Sequence, residues 1–373
     1  MKATFWCAVA IVFYTYFGYV LWLWIISHVH PAPLRRGPYL PFVSVVMVVR
    51  NEEKTLLRKL KNLAALDYPE DRIEFVVVSD GSKDSTEQIL SEAAKDGRYR
   101  ILVFADPKGK AARLNNALAT ARGEMVLFVD ARQQIELDAL RLLMENFAEE
   151  SVGCASGELM LGHVESGEAE KGMGIYWRIE KKIRELESSS GSVVGATGAL
   201  YAARRVLLVA IPANTILDDV YLPLYVARQG ARVIFDERAR AWDSPDLGAG
   251  REFRRKVRTL TGNYQLLQIA PWLLLSKNPL RFRFISHKLL RLLVPFALAA
   301  MLIAPLFIPQ QPYRGFFSLE LLFYTLSLLA LTDVPGGLLA RVANAALTLI
   351  VLNTAAVVAL ANFLTRRKEV WTR

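Results

Sequence analysis

The chain has 373 residues, 53% of them hydrophobic, and a formal net charge of +10. It exceeds one average domain, so a large core and a further region are both expected. The charge invites nucleic acid as partner, but no aromatic-basic nucleic-acid module is recognisable. In a chain with apolar stretches at both ends, basic residues instead face anionic headgroups and the cytoplasmic side. Cys7 falls in the first apolar stretch and Cys154 in the polar middle, so they cannot pair, which fits a reducing compartment. The four histidines form no zinc-ligand spacing.

In chain order, Phe5–Ile26 comes first, without a charged residue. It is long enough to cross a hydrocarbon layer of about 30 Å at about 1.5 Å per residue. No small-residue cleavage site follows it, so residues 1–30 read as a transmembrane anchor. A Pro-rich linker, Pro31–Pro41, leads into a polar domain over 42–250. Strands are predicted at Ser44–Val49, Ile73–Ser79, Arg100–Phe104 and Met125–Val129. Helices between them run to about Ala65, to about Lys95, and from Lys110 to Thr120. This βαβαβαβ rhythm implies an α/β fold with a mainly parallel sheet covered on both faces.

Two of these strands end in an acid. The run FVVVSDGSKDST at Phe75–Thr86 puts Asp80 at the carboxyl end of a buried strand, the edge where open α/β sheets bind ligands. Asp84 and Glu87 have capping-box spacing for the next helix. Asp130 ends the fourth strand and should look into the same crevice. A turn or helix-cap role is the alternative for each acid. Lys108-Gly109-Lys110 leads into a helix N-terminus, a ready anion site, although the GxxxxGK[ST] spacing is absent.

The second half is less regular. It reads as a helix over Gly172–Ser188, a Gly-broken strand over Val193–Ala203, a helix over Asp218–Arg228 and a strand at Arg232–Phe235. Asp218 and Asp219 are adjacent at a helix start, where the dipole favours acids in any case. The helix Glu252–Gln268 has two faces: Arg251, Arg254, Arg255 and Arg258 on one, and Phe253, Val257, Leu260, Tyr264 and Leu267 on the other. The arginines suit either anionic lipid or a polyphosphate gripped by guanidinium groups. Residues 251–288 read as interfacial. Leu292–Ile308, Phe316–Leu331 and Val342–Leu364 are predicted as three C-terminal spans within 289–365.

Taken in order, VSVVMVVRNEE at Val43–Glu53, VVVSDGSKDST at Val76–Thr86, the KGKAARLNNAL segment and FVDARQ at Phe128–Gln133 resemble a family 2 glycosyltransferase of the GT-A fold. GATGALYAARR at Gly195–Arg205, TILDDVYLPLYVARQGARV at Thr215–Val233 and REFRRKVR at Arg251–Arg258 extend the likeness over about residues 42–265. It points to the membrane-embedded branch that includes cellulose, hyaluronan and poly-N-acetylglucosamine synthases. The resemblance implies a nucleotide-sugar site that includes Arg50, Glu52, Asp80, Lys110, Asp130, Arg255 and Arg258. It implies a divalent cation (Mg2+ or Mn2+) held through Asp130, a catalytic Asp219 with Asp218 beside it, and an acceptor loop at Gly195, Thr197 and Gly198. Two departures stand out. The family's DxD pair is here Asp130-Ala131-Arg132, so Arg132 could share the charge neutralisation. The tryptophan of its QxxRW motif is here Thr259, and losing that aromatic weakens the case for long-chain synthesis.

The implied function is an inverting glycosyltransferase in polysaccharide or glycolipid synthesis. The donor is a nucleoside-diphosphate sugar, with UDP the first choice, and the acceptor a lipid-linked or glycan hydroxyl. The alternatives are single-sugar transfer to a polyprenyl-phosphate or other lipid carrier, and a non-catalytic nucleotide-sugar sensor. The expected location is the plasma membrane, multi-pass, with the catalytic domain cytoplasmic and both Met1 and Arg373 outside.

Overall fold

The computed structural model describes residues 1–162, 175–243, 249–330 and 337–365. Among these, one unit holds residues 25–243 with 269–280, and the other holds 1–24, 249–268 and 281–365. Helix α1 (Lys2–Val29) opens the chain.

The first unit is built on eight strands: β1 (Val43–Val49), β2 (Ile73–Asp80), β3 (Tyr99–Phe104), β4 (Met125–Val129), β5 (Gln134–Ile135), β6 (Val152–Leu161), β7 (Leu200–Arg204) and β8 (Arg232–Asp243). They form one sheet in the order β3-β2-β1-β4-β7-β6-β8-β5. β1 pairs in parallel with β2 and β4, β2 with β3, and β6 with β8, while β7 runs antiparallel to both neighbours. The sheet is thus mixed and mostly parallel, as the βα rhythm predicts. Nearly every residue of β1, β2 and β4 is buried, so their unbroken Val-rich runs reflect a strand covered on both faces.

Helices α2 (Glu53–Ala64), α3 (Thr86–Ala93), α4 (Lys110–Thr120), α5 (Ala139–Glu145), α6 (Ile175–Ser189) and α7 (Asp218–Arg228) join these strands. On α2, Leu56, Leu60 and Leu63 fall at i, i+4 and i+7 and are at most 6% exposed in the core with Val45, Met47, Phe75 and Leu127. Each such side chain contributes about 1.5–3 kcal/mol over leaving it in water. The chain passes from β1 to β2 and β3 on one side, then returns to β4 on the other side of β1. This order reversal places the loops after β1 and β4 beside one another at the carboxyl edge.

Three expectations need correction. Residues 193–199 are irregular and only Leu200–Arg204 is a strand, because the loop turns through Gly195 at φ +109°. The capping box at Asp84 and Glu87 does not form. Asp84 accepts from Thr86 N and Glu53 N instead, and Glu87 accepts from Ser79 Oγ. β6, β5 and α5 were not anticipated, and β8 extends well past Phe235. The predicted start of α6 at Gly172 lies outside the described residues.

The helical unit adds α8 (Ala249–Ile269), α9 (Arg281–Phe307), α10 (Gln311–Leu329) and α11 (Leu338–Leu364). Phe5 of α1 packs edge-on against Tyr313, and Trp6 Nε1 donates to the Tyr313 hydroxyl at 3.1 Å. Trp22 meets Phe282 at 4.6 Å, and Tyr14 shares a hydrogen bond with Ser286 at 2.8 Å. Among the described residues three helices are long and apolar enough to cross a membrane: α1, α9 and α11. Of the C-terminal helices, α9 and α11 are among these three candidates and α10 is not. Its Gln311, Arg314 and Glu320 dilute the apolar run that a span requires.

Candidate active site

The loops after β1 and β2 lace together. Asn51, in the left-handed region at φ 55°, accepts from Lys83 N at 2.8 Å, and Glu52 N donates to Thr86 Oγ1 at 2.9 Å. Ser85 N in turn donates to Glu53 at 3.1 Å. Arg50 is exposed in this loop, while Glu52 is half-buried and accepts from Thr55 Oγ1 at 2.6 Å.

Asp80 is deeper than its assignment beside a nucleotide base suggests. It is 3% exposed, and its carboxylate accepts from Lys108 N, Gly109 N and Arg113 Nε at 2.7–2.8 Å. Burial alone would raise its proton affinity, but these donors and the guanidinium charge hold it below the ordinary carboxylate range. Arg113 is itself buried, with its guanidinium 3.8 Å from the Phe104 ring centroid. The set fixes the turn that presents Lys110.

Lys110, at the start of α4, gathers the other acids. Its Nζ lies 2.9 Å from Asp130 Oδ1 and 3.4 Å from Asp218 Oδ2. Burial would lower its proton affinity, yet Asp130, Asp218 and Asp219 together keep it raised. Asp218 is 3% exposed, and its buried Oδ2 has no hydrogen-bond partner. Asp219, the next residue of the same turn, is half-buried and accepts from Gly198 N at 3.0 Å. Its own carbonyl accepts from Ala196 N at 2.7 Å, and Thr197 N donates to Ser156 Oγ. The Gly195–Gly198 loop therefore clamps the start of α7. A Cβ on Gly198 would stand 3.1 Å from Asp219 Oδ2 and 3.6 Å from Asp130 Oδ2. Two carboxylates from separate loops of the same domain thus border one bare glycine.

Arg132, two residues beyond Asp130, pairs with the fully buried Asp243, which also accepts from Gln133 Nε2 at 3.2 Å. Charge neutralisation beside Asp130 comes from Lys110 rather than Arg132. The residues present do not fit a metal held by a DxD pair. The second carboxylate is absent from the sequence, and Asp130 meets an ammonium. Among the described residues, no group of three His, Cys, Asp or Glu side chains is arranged to hold a metal ion.

Arg255 and Arg258 stand on α8 in the helical unit, where Thr259 Oγ1 donates to the Arg255 carbonyl at 3.0 Å. Phe253, Val257, Leu260 and Tyr264 pack with Ala355 and Ala359, so the apolar face read from the sequence is real. Sequence reasoning missed Tyr201, stacked on Phe128 at 4.4 Å with a buried hydroxyl that has no hydrogen-bond partner. Burial first, then Asp218 and Asp219, push that hydroxyl's pKa up. It also missed the structural duty of Arg113. Neither has a local pattern, because each depends on a partner from another loop.

Residues 44–209 match the glycosyl transferase family 2 profile. The chain is similar to a beta-monoglucosyldiacylglycerol synthase of Nostoc sp., 28% identical over 49% of this chain and 40% of that protein. It is also similar to the poly-beta-1,6-N-acetyl-D-glucosamine synthase of Staphylococcus epidermidis, 23% identical over 60% and 55% of the two chains. The alignments thus span about half the length of these relatives. The structure of the mannosyltransferase PcManGT from Pyrobaculum calidifontis, solved in complex with GDP-Man and Mn2+, superposes with a TM-score of 0.74 over 96% of this chain and 98% of that one. At 22% identity the superposition speaks for the fold alone. Together with the mixed sheet and its acidic edge, these likenesses show a family 2 glycosyltransferase domain over residues 44–209, on a GT-A fold.

Proposed function

We propose that this protein is an inverting, membrane-bound glycosyltransferase that moves a sugar from a nucleoside-diphosphate donor to a hydroxyl on a lipid acceptor. The observation that carries this reading is the half-buried Asp219 carboxylate, oriented by Gly198 N–H and facing Asp130 across the bare glycine. As the acceptor hydroxyl attacks, it must lose a proton, and Asp219 is the base this reading assigns to take it. A single displacement with one base inverts the anomeric centre. Negative charge builds on the departing diphosphate, and the Lys110 ammonium stabilises charge at that edge. The Gly195–Gly198 loop fixes the base and forms the floor on which the acceptor hydroxyl approaches. Contacts of Asp80, Arg50 and Glu52 with the nucleotide, and of Arg255 and Arg258 with the diphosphate, have the resemblance as their support.

A lipid acceptor is favoured over polymer extension because Thr259 offers no aromatic platform for a growing glycan. The three candidate spans are also few for a polymer-conducting path. The glucosyldiacylglycerol synthase among the relatives agrees with this choice.

The test is to incubate membranes containing the protein with labelled UDP-glucose, UDP-N-acetylglucosamine and GDP-mannose. Label in the solvent-extractable lipid fraction is expected from one donor. Label confined to polymer would move the acceptor to a glycan. Donor binding with no transfer to any fraction would make the protein a sensor.

A further inference from the structure

We infer that the Lys110 ammonium stands where a divalent cation would otherwise sit, so this site binds the diphosphate of its donor without a metal. The inference rests on the nucleotide-sugar reading above and concerns the same crevice. A metal at the end of β4 needs carboxylate oxygens that are open to it. Here Asp130 Oδ1 is taken by Lys110 Nζ at 2.9 Å, and the second motif position is a cation, Arg132, paired with buried Asp243. Asp218, the remaining buried acid, lies 3.4 Å from the same ammonium, with no hydrogen-bond partner on its Oδ2. Asp130 and Asp218 therefore converge on one tethered positive charge rather than on one another. A divalent ion at Asp130 would meet that ammonium at close range in a poorly screened crevice, and like charges repel there.

The ammonium is equipped for the exchange. It carries three N–H donors; one goes to Asp130, and Asp218 attracts it by charge at 3.4 Å without a hydrogen bond, so donors remain for a phosphate oxygen. Its side chain is 29% exposed, so an arriving diphosphate can reach it. Three further cations, Arg50, Lys83 and Lys108, are exposed on the loops that follow β1, β2 and β3 at the same sheet edge. They supply the positive charge that a second phosphate and three nearby carboxylates would otherwise demand from a metal.

Calorimetric titration of the full-length protein in neutral detergent with UDP and with GDP tests this, once with EDTA and once with Mn2+. One nucleotide should bind with affinities that differ less than about threefold between the two conditions. Lys110→Met should weaken that binding by about tenfold or more in EDTA. A wild-type gain of about threefold or more with Mn2+ would overturn the inference while leaving the nucleotide-sugar reading intact. Unchanged binding by the Lys110→Met variant would also overturn it. If neither nucleotide binds in either condition, the donor reading fails and this inference falls with it.

Discussion

Two ionic clusters line the carboxyl edge of the same sheet, and they are built on opposite terms. Around Asp80, one buried carboxylate takes three hydrogen bonds from the next turn and from Arg113, and the charges balance one to one. Around Lys110, Asp130 and Asp218 share one ammonium with Asp219 adding to the negative field, Asp218 Oδ2 is held by charge without a hydrogen bond, and Asp219 is half-buried. The first arrangement is complete and resists change. The second holds excess negative charge and spare acceptor capacity, which the fold retains at a cost of several kcal/mol per poorly solvated ion.

Asp219→Asn should break the open cluster's function without touching its fold. The substitution keeps size and the acceptor for Gly198 N–H but removes the proton acceptor. Turnover should fall about 100- to 10,000-fold, while the melting temperature and nucleotide affinity stay near wild type. Asp218→Asn should cost less, because that residue faces Lys110 from the buried side. Kinetics on both variants would check the order. An inactive Asp218 variant beside an active Asp219 variant would shift the base by one residue.

Asp80→Asn should do the reverse. Leaving Arg113 buried without its carboxylate typically costs about 3–5 kcal/mol, so a thermal or denaturant midpoint should drop sharply. The loss also has a pH signature. Asp80 is held below its ordinary range, so its stabilisation is present above the unfolded carboxylate pKa and fades as pH falls through the lower folded value. If the variant keeps its midpoint but loses nucleotide binding, Asp80 belongs to the donor site, as the family resemblance implies.

Gly198→Ala probes the gap between Asp130 and Asp219. The new methyl would press on Asp219 Oδ2 at 3.1 Å, tighter than nine in ten real contacts of a Cβ. A displacement of the base by a fraction of an ångström to one ångström can cost up to about 100-fold in rate. Transfer should fall by roughly that factor, with nucleoside-diphosphate affinity unchanged in titration. Equal losses in both would mean that the glycine faces the diphosphate rather than the reacting hydroxyl.

The difference between the clusters was only half legible in the sequence. Strand-ending acids at Asp80 and Asp130 announce the edge, and the Val-rich runs before them announce buried parallel strands, because burial on both faces leaves no alternation. The adjacent acids Asp218 and Asp219 were placed correctly at a helix start, and α7 spans the expected residues. What the pattern cannot carry is which acid is saturated, since Arg113 lies 33 residues beyond Asp80 and looks like an ordinary helix arginine. The same holds for Arg132, whose partner Asp243 is 111 residues away. The antiparallel half was also misread at 193–199, where glycines break a strand-like run into the loop that clamps Asp219.

The lysines repeat the contrast in reverse, and Lys59 gives the mildest test. It is fully buried on α2, and its Nζ donates to the Gln133 carbonyl at 2.7 Å. Burial lowers its pKa to about 7, with Asp130 opposing and Arg58 adding to the shift. An unfolded lysine titrates near 10.4. Between those values the unfolded chain binds more protons than the folded one, so stability rises with pH; below about 7 both states are charged and the dependence vanishes. The slope contributed by this one group approaches about 1.4 kcal/mol per pH unit midway. Lys59→Met should therefore flatten the rise in melting temperature measured between pH 7 and 9, relative to wild type. Its loss of the Gln133 contact should cost only about 1 kcal/mol. Parallel pH profiles of the two proteins would show instead that Lys59 keeps its proton in the fold. The carbonyl, with Asp130 behind it, would then hold the charge much as the three acids do for Lys110.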